Sequence, residues 1–343
     1  MKNSQQLNSS YIILCGVFKY QYSALNKKQL FEDYAPWQNR IFNGEYQNTF
    51  EYLKKTYYDN YLDNIFPETR NNKINSNNLS LNQLNHYSLK ECFPNTKDKR
   101  FKELAIHTKE GDLKFSFDFI DLYLFPLNIG MFAIKTELAG ENIDINQLSA
   151  FSNAIRFLNT ELHFSDKQHV LFKDLIQKEI LNPIGISQES WINYNPQLKS
   201  YINIDLKSPI SKEKLDYLLY DIGNLSPLGS SEGIGMFSPT PEYFAQQMKN
   251  HKIAIFNNWS ALILYDTFTR ISSNFPDRFN SCEIDYFNIY VYSLFKKFYM
   301  YFTNTELSNI TTISKETKVL RNKFIEFIND YHHSHISYNF LPD

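Results

Sequence analysis

Short apolar runs and alternating segments mark the first half of the chain. Residues 11–20 (YIILCGVFKY) are apolar and rich in β-forming residues, which predicts a buried strand. Residues 113–124 alternate phenylalanine with polar side chains, and Pro126 and Gly130 separate them from a second apolar run at 131–138. This pattern predicts a strand, a turn and a returning strand.

Further elements follow from the same two periodicities. Apolar residues at steps of three and four predict a helix from Gln47 to Ile65. The Asn- and Ser-rich stretch 71–80 predicts a linker or a loop. Other predicted helices lie at 144–158, 167–181 and 211–225, the last with Ser211 as N-cap, and other predicted strands lie at 203–206, 252–256 and 261–265.

Two amphipathic helical patterns occupy the end of the chain. Apolar residues repeat at helical spacing from Cys282 to Tyr301, and a second set runs from Leu320 to Tyr331. Two such helices, joined across 304–312, would form an antiparallel hairpin packed through aromatic side chains.

Strands that alternate with helices ahead of this hairpin indicate the fold class. We expect an α/β (α+β) fold, with an αβα layered domain around a mixed sheet and a C-terminal helical arm or stalk. The expected domains are an α/β sensing domain at 1–280 and the helical hairpin at 281–343.

Composition and charge exclude several classes of protein. Apolar residues make up 43% of the 343 residues, which is enough for a core and excludes general disorder. Because the sequence has 35 basic and 37 acidic side chains, it has no basic excess, and direct DNA or RNA binding is not expected. Three cysteines without CxxC spacing favour a reducing, cytoplasmic setting. No stretch has the roughly 20 apolar residues of a membrane-spanning helix, so the chain itself is expected to be soluble.

The loop between residues 225 and 241 (LSPLGSSEGIGMFSPTP) is a candidate anion site. Its glycines permit positive φ, and its serines supply hydroxyl groups for a backbone nest. The candidate residues are Gly229, Ser230, Ser231, Gly233 and Gly235. The loop lacks the Lys-Ser/Thr ending of a P-loop and the strand context of GxGxxG, so an ordinary surface loop is the alternative.

A second candidate group lies between and beside predicted strands. Trp259, next to Asn257, would stack on a nucleobase, although a tryptophan packed on its neighbours is the alternative. Arg270 would pair with a phosphate. Together with the glycine-containing loop, Asn257, Trp259 and Arg270 form the predicted ligand surface.

The remaining reactive groups give no catalytic or metal site. His332 and His335 have the i, i+3 spacing of a shared metal ion, but no carboxylate or thiolate offers an obvious third ligand on the same face. Asp118 and Asp121 lie three apart on a predicted strand and so cannot share a proton. No local frame such as GxSxG is present, and we expect no enzymatic activity.

Three segments together resemble the cytosolic part of the CorA-like family of ion channels and transporters. The resemblance is to the divergent branch associated with type III CRISPR antiviral defence. Phe117–Leu138 resembles a strand that enters an LFP..IG turn and returns, and Tyr286–Ser308 resembles the membrane-proximal helix. Phe324–Pro342 resembles the helix whose tail reads Y…IS…P.

The resemblance implies an αβα cytosolic domain that forms a homo-oligomer, a pentamer in the family. Some members of the branch are gated by a nucleotide second messenger made from S-adenosylmethionine and AMP, and Mg²⁺ is an ion implied by the family. Family members carry two C-terminal transmembrane helices and a Gly-Met-Asn motif, and neither occurs in this sequence. The expectation is a soluble portion, ending at Asp343, of a protein at the cytoplasmic face of the inner membrane.

Two other classes remain open. A soluble enzyme for a small molecule would gather titratable groups with perturbed pKa values in a deep pocket. A structural or interaction protein would present a broad apolar face and no ligand cavity.

Overall fold

The chain divides into two compact units in its computed structural model. Unit 1 comprises residues 1–16, 89–121 and 132–277, and unit 2 comprises residues 17–88, 122–131 and 278–343. The residues whose structure is described are 5–31, 35–39, 53–65, 84–89, 101–165, 168–233, 238–275, 282–310, 315–332 and 336.

Twelve strands form one mixed sheet, which confirms the predicted α/β (α+β) class with a C-terminal helical arm. The strands are β1 (Leu7–Lys19), β2 (Trp37–Asn39), β3 (Asn85–Leu89), β4 (Leu104–Thr108), β5 (Gly111–Phe125), β6 (Ile129–Leu138), β7 (Glu161–Phe164), β8 (His169–Leu171), β9 (Lys199–Leu206), β10 (Lys252–Phe256), β11 (Trp259–Ile263) and β12 (Thr267–Ser273). Their order is β10-β11-β12-β9-β1-β6-β5-β4-β7-β8, and β3 pairs with both β2 and β5.

The helices follow and separate these strands. They are α1 (Lys28–Phe31), α2 (Asp59–Ile65), α3 (Ile145–Ile155), α4 (Phe172–Leu175), α5 (Lys212–Gly223), α6 (Pro241–His251), α7 (Phe287–Ser308) and α8 (Lys315–Tyr331). Two π-helical segments accompany them: Ile176–Leu181 continues α4, and Cys282–Tyr286 precedes α7.

Most of the strand predictions are confirmed. The predicted strands 11–20, 113–124 and 131–138 are β1, β5 and β6, and 252–256 is β10 with the same bounds. The remaining two are displaced at their ends, because β9 begins at Lys199 and β11 runs from Trp259 to Ile263.

The helix predictions differ mainly at their ends. Ser211 caps α5 as predicted, since its Oγ accepts from the backbone N of Lys214 at 3.3 Å. The helix predicted at 167–181 begins only at Phe172, because the residues ahead of it form β8. Of the helix predicted at 47–65, residues 53–56 and α2 are helical, and residues 47–52 lie outside the described residues, as does the predicted linker 71–80.

In unit 1 the sheet is built around β9, all of whose residues are buried. β9 is antiparallel to β1, where Ile202 lies opposite Ile12, and parallel to β12, where Asn203 lies opposite Arg270. α5 packs on β11 and β12, and Gly223 permits this close approach, because a Cβ there would lie 3.1 Å from the Leu262 side chain. A mostly apolar face of these strands is therefore covered by α5.

In unit 2 the predicted antiparallel helical hairpin is confirmed. The Tyr299 ring of α7 stacks on Phe327 of α8 at 4.0 Å, and the Phe295 ring contacts Tyr331 at 5.1 Å. Phe295 also stacks on Phe125 at 4.3 Å. The hairpin thus packs on strand residues of its own unit, and the domain boundary predicted at residue 280 stays a prediction.

None of the helices within the described residues has both the length and the apolar character needed to cross a membrane.

Candidate functional site

A row of polar side chains lies on one face of the unit 1 sheet. Residues that are directly paired on neighbouring strands share a face, and successive residues of a strand alternate between faces. Arg270 pairs with Asn203, while Ser272 pairs with both Asp205 and Trp259. These five side chains therefore lie on the same face, opposite to the one that α5 covers.

Arg270 is the buried cation of this row. Only 2% of its surface is exposed, and its Nη1 donates to Oδ1 of Asn203 at 2.7 Å. Its guanidinium carbon lies 5.6 Å from the ring centre of Trp259 and 5.4 Å from that of Phe275. Its Nε is buried and has no hydrogen-bond partner among the described residues. The guanidinium therefore keeps a free donor in an aromatic environment.

Asp205, the nearest acidic residue of the row, is engaged elsewhere. Its Oδ1 accepts from Ser272 Oγ at 2.8 Å and from the backbone N of Phe275 at 3.2 Å. Its Oδ2 accepts from Asn8 Nδ2 at 3.0 Å. These bonds commit both carboxylate oxygens to neutral donors.

Two buried lysines of the same unit, by contrast, have carboxylate partners. Lys135 lies 2.9 Å from an Asp118 oxygen, and Lys199 lies 2.5 Å from an Asp266 oxygen. Arg156 also has a buried Nε without a partner, but the charge of Asp266 acts on it and opposes the lowering of its pKa by burial. Arg270 thus differs from both lysines, because its hydrogen-bond partner among the described residues is the neutral amide of Asn203. An unpaired buried charge is unfavourable.

The rim of this site is aromatic, with an exposed Phe256 beside a Trp259 that is only 6% exposed. Phe256 is 54% exposed, and its ring lies 5.7 Å from that of Trp259. Asn257 is exposed in the turn between β10 and β11. A flat ring that contacts Phe256 and Trp259 would bring an attached anion toward Arg270.

The glycine-containing loop 225–241 binds the carboxyl group of a residue of its own chain, Asp221. Gly229 and Gly233 adopt positive φ values of 89° and 80°, which glycine was predicted to permit in this loop. The backbone N of Gly229 donates to Asp221 at 2.7 Å, and that of Ser231 does so at 2.9 Å. Burial raises the pKa of Asp221 to about 6, although these two bonds act to lower it. The two amides are thus occupied by an internal carboxylate.

The hydroxyls of the two candidate serines also bond internally. Ser230 Oγ donates to the carbonyl oxygen of Pro227 at 2.6 Å, and Ser231 Oγ donates to that of Tyr217 at 3.2 Å. Gly235 lies outside the described residues.

The structure brings together only part of the predicted ligand surface. Trp259 and Arg270 lie together on neighbouring strands, and Asn257 lies in the turn that precedes β11. The loop follows α5, which packs on the face that carries Thr269, and successive residues of β12 point to opposite faces. The loop and the Trp259–Arg270 pair therefore lie on different sides of the sheet, and ligand binding by either stays a prediction.

Two contributors to the site were missed by sequence reasoning. Asn203 is one of two polar residues that alternate with isoleucine in β9 (residues 201–206, YINIDL), and that alternation is a signal for a polar face. Phe275 gives no local signal, because its contact with Arg270 depends on where the chain leaves β12.

Comparison of the chain with protein-family models, with curated proteins and with solved structures finds no match. The interpretation of the site therefore depends on its geometry.

Proposed function

We propose that the chain is the ligand-sensing portion of a CorA-like membrane protein, and that its ligand is a nucleotide of the S-adenosylmethionine–AMP type. The observation that carries this proposal is the buried guanidinium of Arg270, whose Nε has no partner among the described residues and which lies beside Trp259. A nucleotide combines a flat base with an anionic phosphate, and the site offers one partner for each.

The proposed binding mode starts at the exposed ring of Phe256, since Trp259 and Arg270 are only 6% and 2% exposed. The base stacks against Phe256 and Trp259, and a phosphate oxygen accepts from Nε of Arg270. Asn257 supplies an exposed amide for the polar edge of the base or the sugar. The bound phosphate neutralises the buried charge of Arg270. The nucleotide therefore favours the conformation that binds it more tightly, by the difference between its affinities for the two conformations.

The proposed output element is the α7–α8 hairpin. In the family that the sequence resembles, the corresponding helices lead toward the membrane, so the protein would act at the cytoplasmic face of the inner membrane and control passage of an ion such as Mg²⁺. Six of the twelve exposed large apolar side chains within the described part of the chain lie on this hairpin. They are Met300, Tyr301, Leu307, Val319, Ile325 and Ile328.

We place the contact between copies of the chain on this hairpin, because these six side chains are its exposed apolar surface. We expect a homo-oligomer, with the pentamer of the family as the expected count. Light scattering should then give a mass several times the 40.6 kDa of one chain. A monomer at all concentrations would contradict this part of the proposal.

Calorimetric titration with the S-adenosylmethionine–AMP conjugate, and separately with AMP, tests the ligand. We expect binding to the wild-type chain, with affinity at least about tenfold weaker in Arg270→Gln, because a charged hydrogen bond to phosphate is lost. Trp259→Leu should weaken binding in the same way through the loss of stacking.

Arg156→Gln is the matched control, because Arg156 is likewise a buried arginine with an unpartnered Nε near an aromatic ring. It should bind like the wild type. Equal affinity in all four proteins, or no binding by the wild type, would contradict the proposed site. Turnover of either nucleotide during the titration would instead favour a soluble enzyme.

A further inference from the structure

The β7–β8 hairpin brings two histidines and a glutamate to one face of the sheet edge. His163 lies directly opposite His169 in the antiparallel register, and Glu161 lies two residues before His163. Residues two apart on a strand share a face, as do directly opposed residues. The three side chains therefore share a face by register.

Their ligand atoms are close together. The nitrogen and oxygen atoms that could bind an ion all lie within 4.8 Å of one another. His169 Nδ1 lies 3.8 Å from Glu161 Oε1, and the two imidazole rings lie 4.5 Å apart at 83°. A tetrahedral ion with bonds of about 2 Å needs ligand atoms roughly 3.4 Å apart. Small side-chain rotations on this exposed hairpin supply the difference.

The backbone beneath the cluster is well anchored. Phe164 N donates to the carbonyl oxygen of Gln168 at 3.0 Å on one side of the cluster, and Phe172 N donates to that of Thr160 at 2.8 Å on the other. β8 ends the sheet order next to β7, so Glu161 and His169 remain exposed. The frame is fixed while the ligand side chains keep freedom to rotate.

We propose that Glu161, His163 and His169 bind one transition-metal dication, with Zn²⁺ as the preferred ion. Two imidazoles with one carboxylate form a known three-residue zinc set, and this set leaves a fourth position for water or for a group of another molecule. Mg²⁺ is disfavoured at this site, because it prefers oxygen ligands. The proposal is independent of the nucleotide site.

Calorimetry with ZnCl₂ on the untagged full chain tests the proposal. We expect one Zn²⁺ per chain at this hairpin, with affinity lowered at least about tenfold in His163→Gln and in His169→Gln. Glu161→Gln should also weaken binding, since it removes the negative charge of the set. Co²⁺ should give the visible absorption of a low-coordinate site in the wild type and lose it in the same variants.

The terminal histidines require a matched control, because His332, His333 and His335 could bind Zn²⁺ on their own. A variant with all three changed to Gln should retain the Zn²⁺ that is lost in His163→Gln. Circular dichroism spectra that match the wild type exclude unfolding as the cause. Unchanged Zn²⁺ binding in His163→Gln and His169→Gln, loss of all binding in the terminal variant, or no binding by the wild type would overturn the proposal.

Discussion

At the scale of one residue, Asp221 occupies the backbone amides that the sequence predicted for a ligand anion. Its carboxylate receives the amides of Gly229 and Ser231, which the glycine-containing loop turns inward. The glycines were predicted to permit this loop conformation, and they do. The acceptor was not predictable, because Asp221 lies on α5 and only the folded loop brings the amides to it.

Protonation of Asp221 should make the free energy of unfolding depend on pH. Burial raises the pKa of Asp221 from 3.8 to about 6, so between these values the folded state binds more protons than the unfolded state. The free energy of unfolding therefore falls as pH rises through this window, by up to about 3 kcal/mol from this group. A carbon-13 titration of the carboxyl group should show a midpoint near pH 6.

Asp221→Asn provides the comparison for this prediction. The loss of one acceptor for the two loop amides gives the variant a constant offset in stability. The difference between variant and wild type in urea unfolding should nevertheless shift in favour of the variant from pH 4 to pH 7, because only the wild type acquires the buried charge. A difference between the two proteins that does not change with pH would contradict the assignment.

At the scale of elements, the α7–α8 hairpin is held by stacked aromatic rings. Phe327 is 1% exposed and lies on Tyr299, so Phe327→Ala should lower the free energy of unfolding by about 3 to 5 kcal/mol. Asn322 of the same helix is exposed, and Asn322→Ala should change it by no more than about 0.5 kcal/mol. Urea unfolding measures both, and equal effects would contradict the packing of the hairpin.

Elements with strong local signals could be predicted from the sequence, and short edge elements could not. The alternation in β5, the turn after it and the N-cap of α5 are properties of neighbouring residues, and the structure confirms them. β8 has three residues, too few for a periodic pattern, so a helix was predicted across it. The histidine and glutamate cluster was missed for the same reason, because it exists only through the β7–β8 register.

At the scale of the whole molecule, the candidate site depends on pairings between distant parts of the chain. Trp259 and Arg270 were predicted to act together, and they contact each other across neighbouring strands. Asn203 contacts Arg270 because β9 and β12 pair in parallel. No local sequence pattern predicts which two strands pair. The glycine-containing loop follows α5, which packs on the other face of the sheet, and this divides the predicted surface.

The central claim is that a nucleotide binds at Trp259 and Arg270, and the indole signals of the three tryptophans in an NMR titration test it most directly. Trp37 and Trp191 are buried at 1% and 0% exposure, whereas Trp259 is 6% exposed and its neighbour Phe256 is 54% exposed. On addition of the S-adenosylmethionine–AMP conjugate, the Trp259 signal and the Nε–H signal of Arg270 should shift and saturate together, while the other two indole signals stay in place. An unchanged Trp259 signal at saturating nucleotide, or a shift confined to Trp37 or Trp191, would contradict the claim.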